Sequence, residues 1–365
     1  MKNIAVFFGG VSVEHDVSII TGALTLNSID KEKYNAIPVY VDKDGKWYTG
    51  EKLKDVDQFK KLPQKELLQV LLLPGDNKLY QVKGKKIKPL LNISVAINCM
   101  HGERGEDGSL SGLLNMCNIP LASPPLLASS VCMDKCFTKT VMSGLKVKTL
   151  PFVTITSKSD LNETVKKLGF PVVVKPACLG SSIGIRRADN FDQLSLGVQT
   201  ALQYGEKVIV EKCLEEFVEI NCAVYRGENG GIIVSECERP EGKNLLLSFE
   251  DKYLSGKRVF PADIDKKTSD KIKEITRKVY AELYSEGVIR IDYFVSNGQV
   301  YLNEINTVPG SLSYYLFGET LRSFTKMLNQ LLARAERRYN SSSTIKKSFK
   351  TSILTMTGAK GQKRL

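Results

Sequence analysis

Residues 288–306, VIRIDYFVSNGQVYLNEIN, decide the fold of the C-terminal part of the chain. Two β-rich segments flank Ser296-Asn297-Gly298, so the stretch predicts an antiparallel hairpin. If all three residues form the loop, with Gly298 in the left-handed conformation, Arg290 lies opposite Glu304. Because side chains alternate between the two faces of a strand, this register places a polar set on a single face. The set consists of Arg290, Asp292, Glu304 and Asn306.

A second strand register is also possible, because Asn297-Gly298 is the strongest sequence signal for a two-residue turn. That turn would place Asp292 opposite Asn303 and move Glu304 to the other face. A surface hairpin with a simple cross-strand pair between Arg290 and Glu304 is the ordinary alternative to a functional site. The register therefore decides whether the polar residues can act together.

Two carboxylates, an amide and a guanidinium on one face need a ligand or water, since burying them without partners is costly. Oxygen donors at this density suit Mg²⁺, which typically binds one or two carboxylates together with substrate phosphates. The first register therefore predicts a divalent cation on this face of the hairpin.

A glycine-rich loop, Lys175–Gly184 (KPACLGSSIG), follows a buried apolar segment further upstream. It offers small residues, backbone N–H groups and a lysine, so it can cradle a phosphate. It differs from the GxxxxGK[ST] phosphate loop, because the lysine precedes the glycines, and a tight strand connection is the alternative.

The N-terminal part predicts a βαβ unit, with strands at Ile4–Phe8 and Ala36–Val41 around a helix over 16–28. A further buried strand, Ile93–Cys99, precedes the loop His101–Gly108, in which acids, an arginine and a histidine alternate with glycines. Ligands gather at the carboxyl ends of strands in open α/β sheets, so this loop and the one after the first strand are expected to face one crevice. The Pro124-Pro125 pair then marks a boundary before a helix predicted over 126–145.

Composition favours an enzyme acting on anionic small molecules. The 365 residues carry a net charge of +12. From Arg334 onward the chain has nine basic residues and one acidic residue, so most of the excess positive charge lies in a solvated tail. No apolar run approaches the length of a membrane span, so we expect a cytoplasmic protein without nucleic-acid or membrane partners. Eight cysteines without a CxxC pair are expected to be reduced, and two histidines exclude a histidine-rich metal site.

Seven segments, taken in order, resemble the D-alanine:D-alanine ligase family of the ATP-grasp superfamily. They are FFGGVSVEHDVS, HGERGEDGSLSGLL, MDKCFTK, VVVKPACLGSSIGI, VEKCLEEFVEI, SFEDKYLSG, and VIRIDYF with YLNEINTVPG. The resemblance implies an α/β fold with an N-terminal Rossmann-like domain followed by a two-subdomain ATP-grasp fold. The expected divisions are an N-terminal substrate domain over 1–124, a central ATP-grasp subdomain over 125–210, a C-terminal subdomain with the metal site over 211–339, and a basic tail over 340–365.

The resemblance also implies an ATP site with Mg²⁺ or Mn²⁺. The residues expected at the phosphates are Lys135 and Lys175, and those around adenine and ribose are Glu211, Lys212, Leu214 and Glu219. The positions that match the metal ligands are Asp292, Glu304 and Asn306, in agreement with the hairpin argument.

The remaining implied positions hold two amino-acid substrates. Glu14 matches the carboxylate that binds the first ammonium group, with His101 nearby and with Ser181 and Tyr253 as its hydrogen-bonded partners. Lys252 matches a residue that reaches the transferred phosphate, and Arg290 and Gly310 match the groups that stabilise an oxyanion. The acceptor position is Tyr315-Leu316, where dipeptide ligases usually have Ser-Leu.

The implied activity is ATP-dependent joining of two D-alanines through an acyl phosphate, for peptidoglycan precursor synthesis, by a homodimer. Because Tyr315 departs from the pattern, D-alanyl-D-serine or D-alanyl-D-lactate formation is the alternative within the family. A catalytically silent nucleotide-binding protein is the alternative outside it, although such a protein would be expected to lack catalytic positions.

Overall fold

A computed structural model of the protein describes residues 1–61, 66–241, 258–346 and 348–352. Three main β-sheets follow one another along the chain, and a short two-stranded sheet accompanies the third. The helices that connect the strands pack against these sheets.

The first sheet contains the βαβ unit predicted from the sequence. Its strands are β1 (Lys2–Gly9), β2 (Tyr34–Val41), β3 (Trp47–Thr49), β4 (Leu68–Leu72), β5 (Lys78–Lys83), β6 (Lys86–Asn92) and β7 (Val95–Asn98), in the order β6-β5-β4-β3-β2-β1-β7. β1 pairs in parallel with both β2 and β7, so the carboxyl ends of these three strands meet at one edge. The helices are α1 (His15–Ser28) and α2 (Ser109–Met116), with 3-10 turns at Glu51–Lys54 and Val56–Lys61.

Two short helices follow where the sequence predicted one helix over 126–145. They are α3 (Leu126–Met133) and α4 (Lys135–Gly144). The break lies at Asp134, whose carboxylate accepts hydrogen bonds from the backbone N–H groups of Cys136 and Phe137. An aspartate favours this capping position because it satisfies N–H groups that lack helical partners. Lys135 therefore becomes the first residue of a helix.

The second sheet is antiparallel, with strand order β10-β9-β11-β8. Its elements are β8 (Phe152–Ile155), α5 (Leu161–Leu168), β9 (Val172–Pro176), β10 (Arg186–Ala188), α6 (Phe191–Ala201), a 3-10 turn (Leu202–Tyr204) and β11 (Val208–Lys212).

The third sheet is also antiparallel, and its order is β13-β12-β16-β17. The elements of this C-terminal region are β12 (Val218–Arg226), β13 (Ile232–Val234), β14 (Arg239–Pro240), β15 (Arg258–Val259), α7 (Lys266–Glu282), β16 (Val288–Ser296), β17 (Gln299–Asn306), a 3-10 segment (Gly310–Leu316) and α8 (Leu321–Ser343). Strands β14 and β15 form the small separate sheet.

Each sheet has an apolar core, and the last helix returns to the first sheet. Phe324, Leu328 and Leu331 of α8 belong to the same buried cluster as Ile4 and Val6 of β1. The third sheet packs on α7, and the second sheet packs on α5 and α6.

The α/β class with a Rossmann-like N-terminal part is confirmed, whereas the exact domain divisions stay a prediction. Within the described part of the chain, none of the helices combines the length and apolar character that a membrane span requires.

Candidate active site

A buried ion triad links the second sheet to α4. Glu211 of β11 is 1% exposed, and its carboxylate oxygens lie 2.5 Å from Lys139 Nζ and 2.6 Å from Lys175 Nζ. Burial alone would raise the pKa of Glu211, but the two ammonium groups outweigh it and lower that pKa to about 2. The triad therefore holds two lysines in fixed positions at the edge of the second sheet.

Two lysines also reach across to the third sheet. Lys175 Nζ donates a hydrogen bond to Asn303 Oδ1 at 3.2 Å and lies 5.9 Å from the centre of the Phe294 ring. Lys135 Nζ lies 3.4 Å from the Glu304 carboxylate and donates to the backbone oxygen of Leu179 at 2.8 Å. Lysines of α4 and of the second sheet thus face a carboxylate and an amide of the third sheet, an arrangement that suits an anionic ligand with a cation.

The hairpin closes through a two-residue turn, so the three-residue loop is wrong. Asn297 and Gly298 have φ values of 48° and 69°, and Ser296 lies opposite Gln299. Left-handed conformations at both central positions match the twist of the flanking strands, which explains why Asn-Gly is favoured there.

A β-bulge then restores the face that the sequence argument required. Tyr293 pairs with Leu302 but Asp292 pairs with Glu304, so Asn303 is the extra residue of β17. The turn and the bulge each shift the register by one residue, and the total shift of two places Asp292 and Glu304 on one face. The predicted pairing of Arg290 with Glu304 is wrong, because Arg290 lies opposite Asn306.

The Asp292 side chain on this face is fully buried. Arg290 donates to its two carboxylate oxygens from Nε and Nη2, at 2.7 and 2.8 Å, and Asn306 Nδ2 donates at 3.0 Å. With Glu304 opposite, the face offers two carboxylates and an amide. These hard oxygen donors fit a magnesium or manganese ion.

Glu14 lies where three loops meet, next to the N-terminus of α1. Ser181 Oγ donates a hydrogen bond to its carboxylate. A Cβ atom at Gly180 would lie 2.9 Å from the Glu14 carboxylate, and one at Gly102 would lie 3.1 Å from it. Glycines therefore allow the Lys175–Gly184 loop and the His101–Gly108 loop to close around one acid.

His101, the first residue of the loop that closes around Glu14, is buried. Its Nε2 lies 2.9 Å from Thr21 Oγ1, which in turn accepts a hydrogen bond from the Ser311 N–H at 3.1 Å. Burial lowers the pKa of His101 to about 4, so the ring is neutral at pH 7.

Glu106 was not identified from the sequence, yet it connects the N-terminal loop to the third sheet. Its carboxylate accepts from the N–H groups of Gly102 at 3.0 Å and Val308 at 2.8 Å. Burial, with the nearby Glu14 charge, raises the pKa of Glu106 to about 8. Its position in a polar glycine-rich loop was the only sequence signal.

The acceptor positions lie in the 3-10 segment that follows β17. Ser311, Leu312 and Ser313 have φ values near 50°, which turns the chain sharply after Gly310. Leu316 is buried, and the Tyr315 ring is covered by the Arg258 guanidinium at 4.7 Å.

The positions expected around adenine lie on and beside the connection between the second and third sheets. Lys212 ends β11 and donates to the backbone oxygen of Phe170 at 2.9 Å. Leu214 lies in the connection. Glu219 belongs to β12 and pairs with Phe294 of β16. Lys252 and Tyr253 lie outside the described residues.

Lys139 was also missed, although MDKCFTK contains it. It lies one helical turn after Lys135, and spacing of four residues places both lysines on one side of α4. The sequence could not show its buried partner Glu211, which lies on a distant strand.

Two antiparallel sheets that meet at a lysine-lined cleft, with carboxylate and amide side chains on one of them, are the architecture of the ATP-grasp class of enzymes. Residues 3–124 match the family described as D-ala D-ala ligase N-terminus, and residues 141–334 match D-ala D-ala ligase C-terminus. The chain belongs to the D-alanine–D-alanine ligase family.

Known relatives and solved structures match this chain over nearly its whole length. The D-alanine–D-alanine ligase of Thermosipho melanesiensis is 37% identical over 97% of this chain and 98% of its own, and ligase A of Escherichia coli is 32% identical over 94% and 98%. Among solved structures, the VanG D-Ala:D-Ser ligase of Enterococcus faecalis has a TM-score of 0.80 at 28% identity, covering 92% of this chain and 99% of its own. The Coxiella burnetii ligase has a TM-score of 0.81 at 23% identity, covering 94% and 96%, which shows the shared fold.

Proposed function

We propose that the protein joins two D-alanines to D-alanyl-D-alanine with the consumption of ATP, as a step in making peptidoglycan precursors. The observation that carries this proposal is the approach of Lys135 and Lys175 to Glu304 and Asn303 across the two sheets. The names of the relatives and the match of both family halves support it.

In this proposal ATP binds between the second and third sheets. Lys135 and Lys175 contact its phosphates, and the Glu211 carboxylate keeps Lys175 in place through their 2.6 Å ion pair. Lys212, Leu214 and Glu219 contact adenine and ribose, whereas the carboxylate of Glu211, which was expected there with them, pairs with Lys139 and Lys175. Asp292, Glu304 and Asn306 would hold Mg²⁺ or Mn²⁺, which when bound offsets negative charge on the phosphates.

The first D-alanine binds with its ammonium group at Glu14, which Ser181 orients. Its carboxylate attacks the γ-phosphorus of ATP, so ADP leaves and an acyl phosphate forms. Neutral His101 helps to exclude water and to fix Thr21 beside the 3-10 segment. Lys252 and Tyr253 keep the roles implied by the resemblance, as predictions.

The second D-alanine loses a proton from its ammonium group, and the resulting amine attacks the acyl carbonyl. The peptide bond forms, the bond to the phosphate oxygen breaks, and inorganic phosphate leaves as the nitrogen loses a further proton to solvent. Arg290 and the Gly310 N–H stabilise the negative oxygen of the tetrahedral species. Arg290 suits this role, because two hydrogen bonds to Asp292 hold its guanidinium in one orientation. Leu316 and Tyr315 border the acceptor.

The experiment that tests this function is phosphate release from ATP with D-alanine, with product identification. D-alanyl-D-alanine should dominate when D-serine or D-lactate competes as acceptor at equal concentration. D-alanyl-D-serine is the second candidate, favoured by Tyr315 and by the similarity to the VanG D-Ala:D-Ser ligase. Dominant D-serine incorporation would establish it, and absence of phosphate release would contradict ligase activity.

The cytoplasmic location and the homodimer stay predictions. Sedimentation of the purified protein would test the homodimer.

A further inference from the structure

The face of the third sheet that carries Asp292 has two further polar side chains for which the proposed chemistry gives no role. Asn221 of β12 pairs with Asp292, and Glu238, one residue before β14, forms a bridge with Asn221. Directly paired residues of an antiparallel sheet share a face. Glu238, Asn221, Asp292 and Glu304 therefore form one polar row across the sheet.

The two unassigned members of this row are buried and incompletely hydrogen-bonded. Glu238 is 5% exposed and Asn221 is 6% exposed. Glu238 Oε2 and Asn221 Oδ1 have no hydrogen-bond partner among the described residues. Leaving buried acceptors unsatisfied is costly, so the pair indicates that a donor from outside the protein completes this part of the row.

Arg258 provides the complementary charge. Its Nη1 lies 3.8 Å from Glu238 Oε1, too far for a hydrogen bond, and has no partner among the described residues. The same guanidinium covers the ring of Tyr315, the residue at the acceptor position. A carboxylate and a guanidinium, each with unused hydrogen-bonding capacity, thus lie beside the acceptor end of the cleft.

We propose that Glu238 and Arg258 bind the two charged ends of the acceptor amino acid. The Glu238 carboxylate, with Asn221 Oδ1, receives the ammonium group, and the Arg258 guanidinium receives the carboxylate. This assignment rests on the proposed ligase function, and it supplies a carboxylate contact where Tyr315 replaces the serine of the family pattern.

The spacing and the surrounding charge favour an α-amino acid over a metal ion. The ammonium and carboxylate groups of an amino acid are bonded to one carbon, so they lie a few ångströms apart, as Glu238 and Arg258 do. A divalent cation at Glu238 would meet two guanidinium groups, because the Arg290 charge also acts on this carboxylate.

The test is Glu238→Gln, which keeps the shape of the side chain and removes its charge. The KM of the acceptor D-alanine should rise roughly ten- to hundredfold, the effect of losing a hydrogen bond to a charged group. The KM values of ATP and of the first D-alanine should stay within about twofold, since their contacts lie elsewhere. Use of D-lactate, which lacks an ammonium group, should be unchanged.

Glu236→Gln is the matched control, because Glu236 is exposed and forms an ion pair with Lys273 at 2.6 Å, away from the acceptor. It should leave both D-alanine KM values unchanged. An unchanged acceptor KM in Glu238→Gln, or an equal rise for ATP and both amino acids, would overturn the assignment.

Arg258→Gln keeps the proposal falsifiable if Glu238→Gln does not fold. This variant should raise the KM of D-alanine and of D-lactate as acceptors alike, because both carry a carboxylate. An unchanged acceptor KM in Arg258→Gln would also overturn the assignment. A wild-type protein that forms neither dipeptide nor ester would instead disprove the proposed function itself.

Discussion

Glu211 and Glu238 are both buried acids facing the same cleft, one on the second sheet and one beside the third, but their surroundings differ. Both oxygens of Glu211 lie within 2.6 Å of a lysine nitrogen, whereas the Arg258 guanidinium lies 3.8 Å from one oxygen of Glu238, beyond hydrogen-bond distance. Burial raises the pKa of Glu238, while two ammonium groups lower that of Glu211 to about 2. Acids with close counter-charges fit the proposed frame of the ATP site, and an acid with a distant counter-charge fits the proposed contact to a substrate.

The largest expected effect is a loss of stability when Lys139, one of the two lysines paired with Glu211, is replaced. Lys139→Met leaves Glu211 with one ammonium group in a buried position, which should lower the free energy of unfolding by about 3–5 kcal/mol. Urea unfolding at pH 7 measures this. Lys167→Met, at an exposed position in the last turn of α5, is the control and should change little. Equal stability of the two variants would show that the triad is not a structural unit.

The second-largest effect is expected for Asp292→Asn, which should lower kcat rather than the free energy of unfolding. The change removes a carboxylate from the candidate metal site and weakens the orientation of Arg290. We expect kcat to fall roughly a hundredfold, comparable to losing one group that stabilises transition-state charge. Steady-state kinetics with saturating Mg²⁺ checks this, and removal of divalent cations by a chelator should stop the wild-type reaction. A kcat within threefold of wild type would exclude Asp292 from the metal site.

The smallest effect concerns the Glu106 connection between the N-terminal loop and the third sheet. Its folded-state pKa of about 8 exceeds the ordinary value of 4.5, so the folded protein binds more protons than the unfolded chain between these values. Stability from this group is therefore present at low pH and lost as pH rises toward 8. The loss should be at least about 1 kcal/mol, the free energy of one pKa unit.

Unfolding measured from pH 5 to pH 9 tests this, with Glu106→Gln as the comparison. The variant cannot ionise at this position, so its stability should vary less with pH over that window. Identical slopes for the two proteins would contradict a raised pKa at Glu106.

The fold was largely predictable from the sequence, because strand and helix patterns are local. The hairpin shows the limit of such reasoning. Alternation along a strand fixes which residues share a face only when the register is known, and the Asn303 bulge carries no recognisable sequence signal. The expected face was right because the turn and the bulge each shift the register by one residue.

The candidate site was predictable where single motifs carry it and not where distant residues meet. Lys175 and Asp292 belong to recognisable segments. Lys139 and Glu238 each have their counter-charge on another element of the fold. Only the tertiary structure shows that the ion pair of Lys139 is close, at 2.5 Å, and that of Glu238 is loose, at 3.8 Å.

Unfolding free energies of Glu211→Gln and Glu238→Gln, measured side by side in urea, test this contrast most directly. Glu211→Gln should lose about 3–5 kcal/mol, because two buried ammonium groups lose their counter-charge. Glu238→Gln should be as stable as wild type or more stable, because it removes a buried charge that the protein does not fully satisfy. A loss in Glu238→Gln as large as that in Glu211→Gln would contradict the account, since Glu238 would then be a structural partner of Arg258 rather than a contact kept for the substrate.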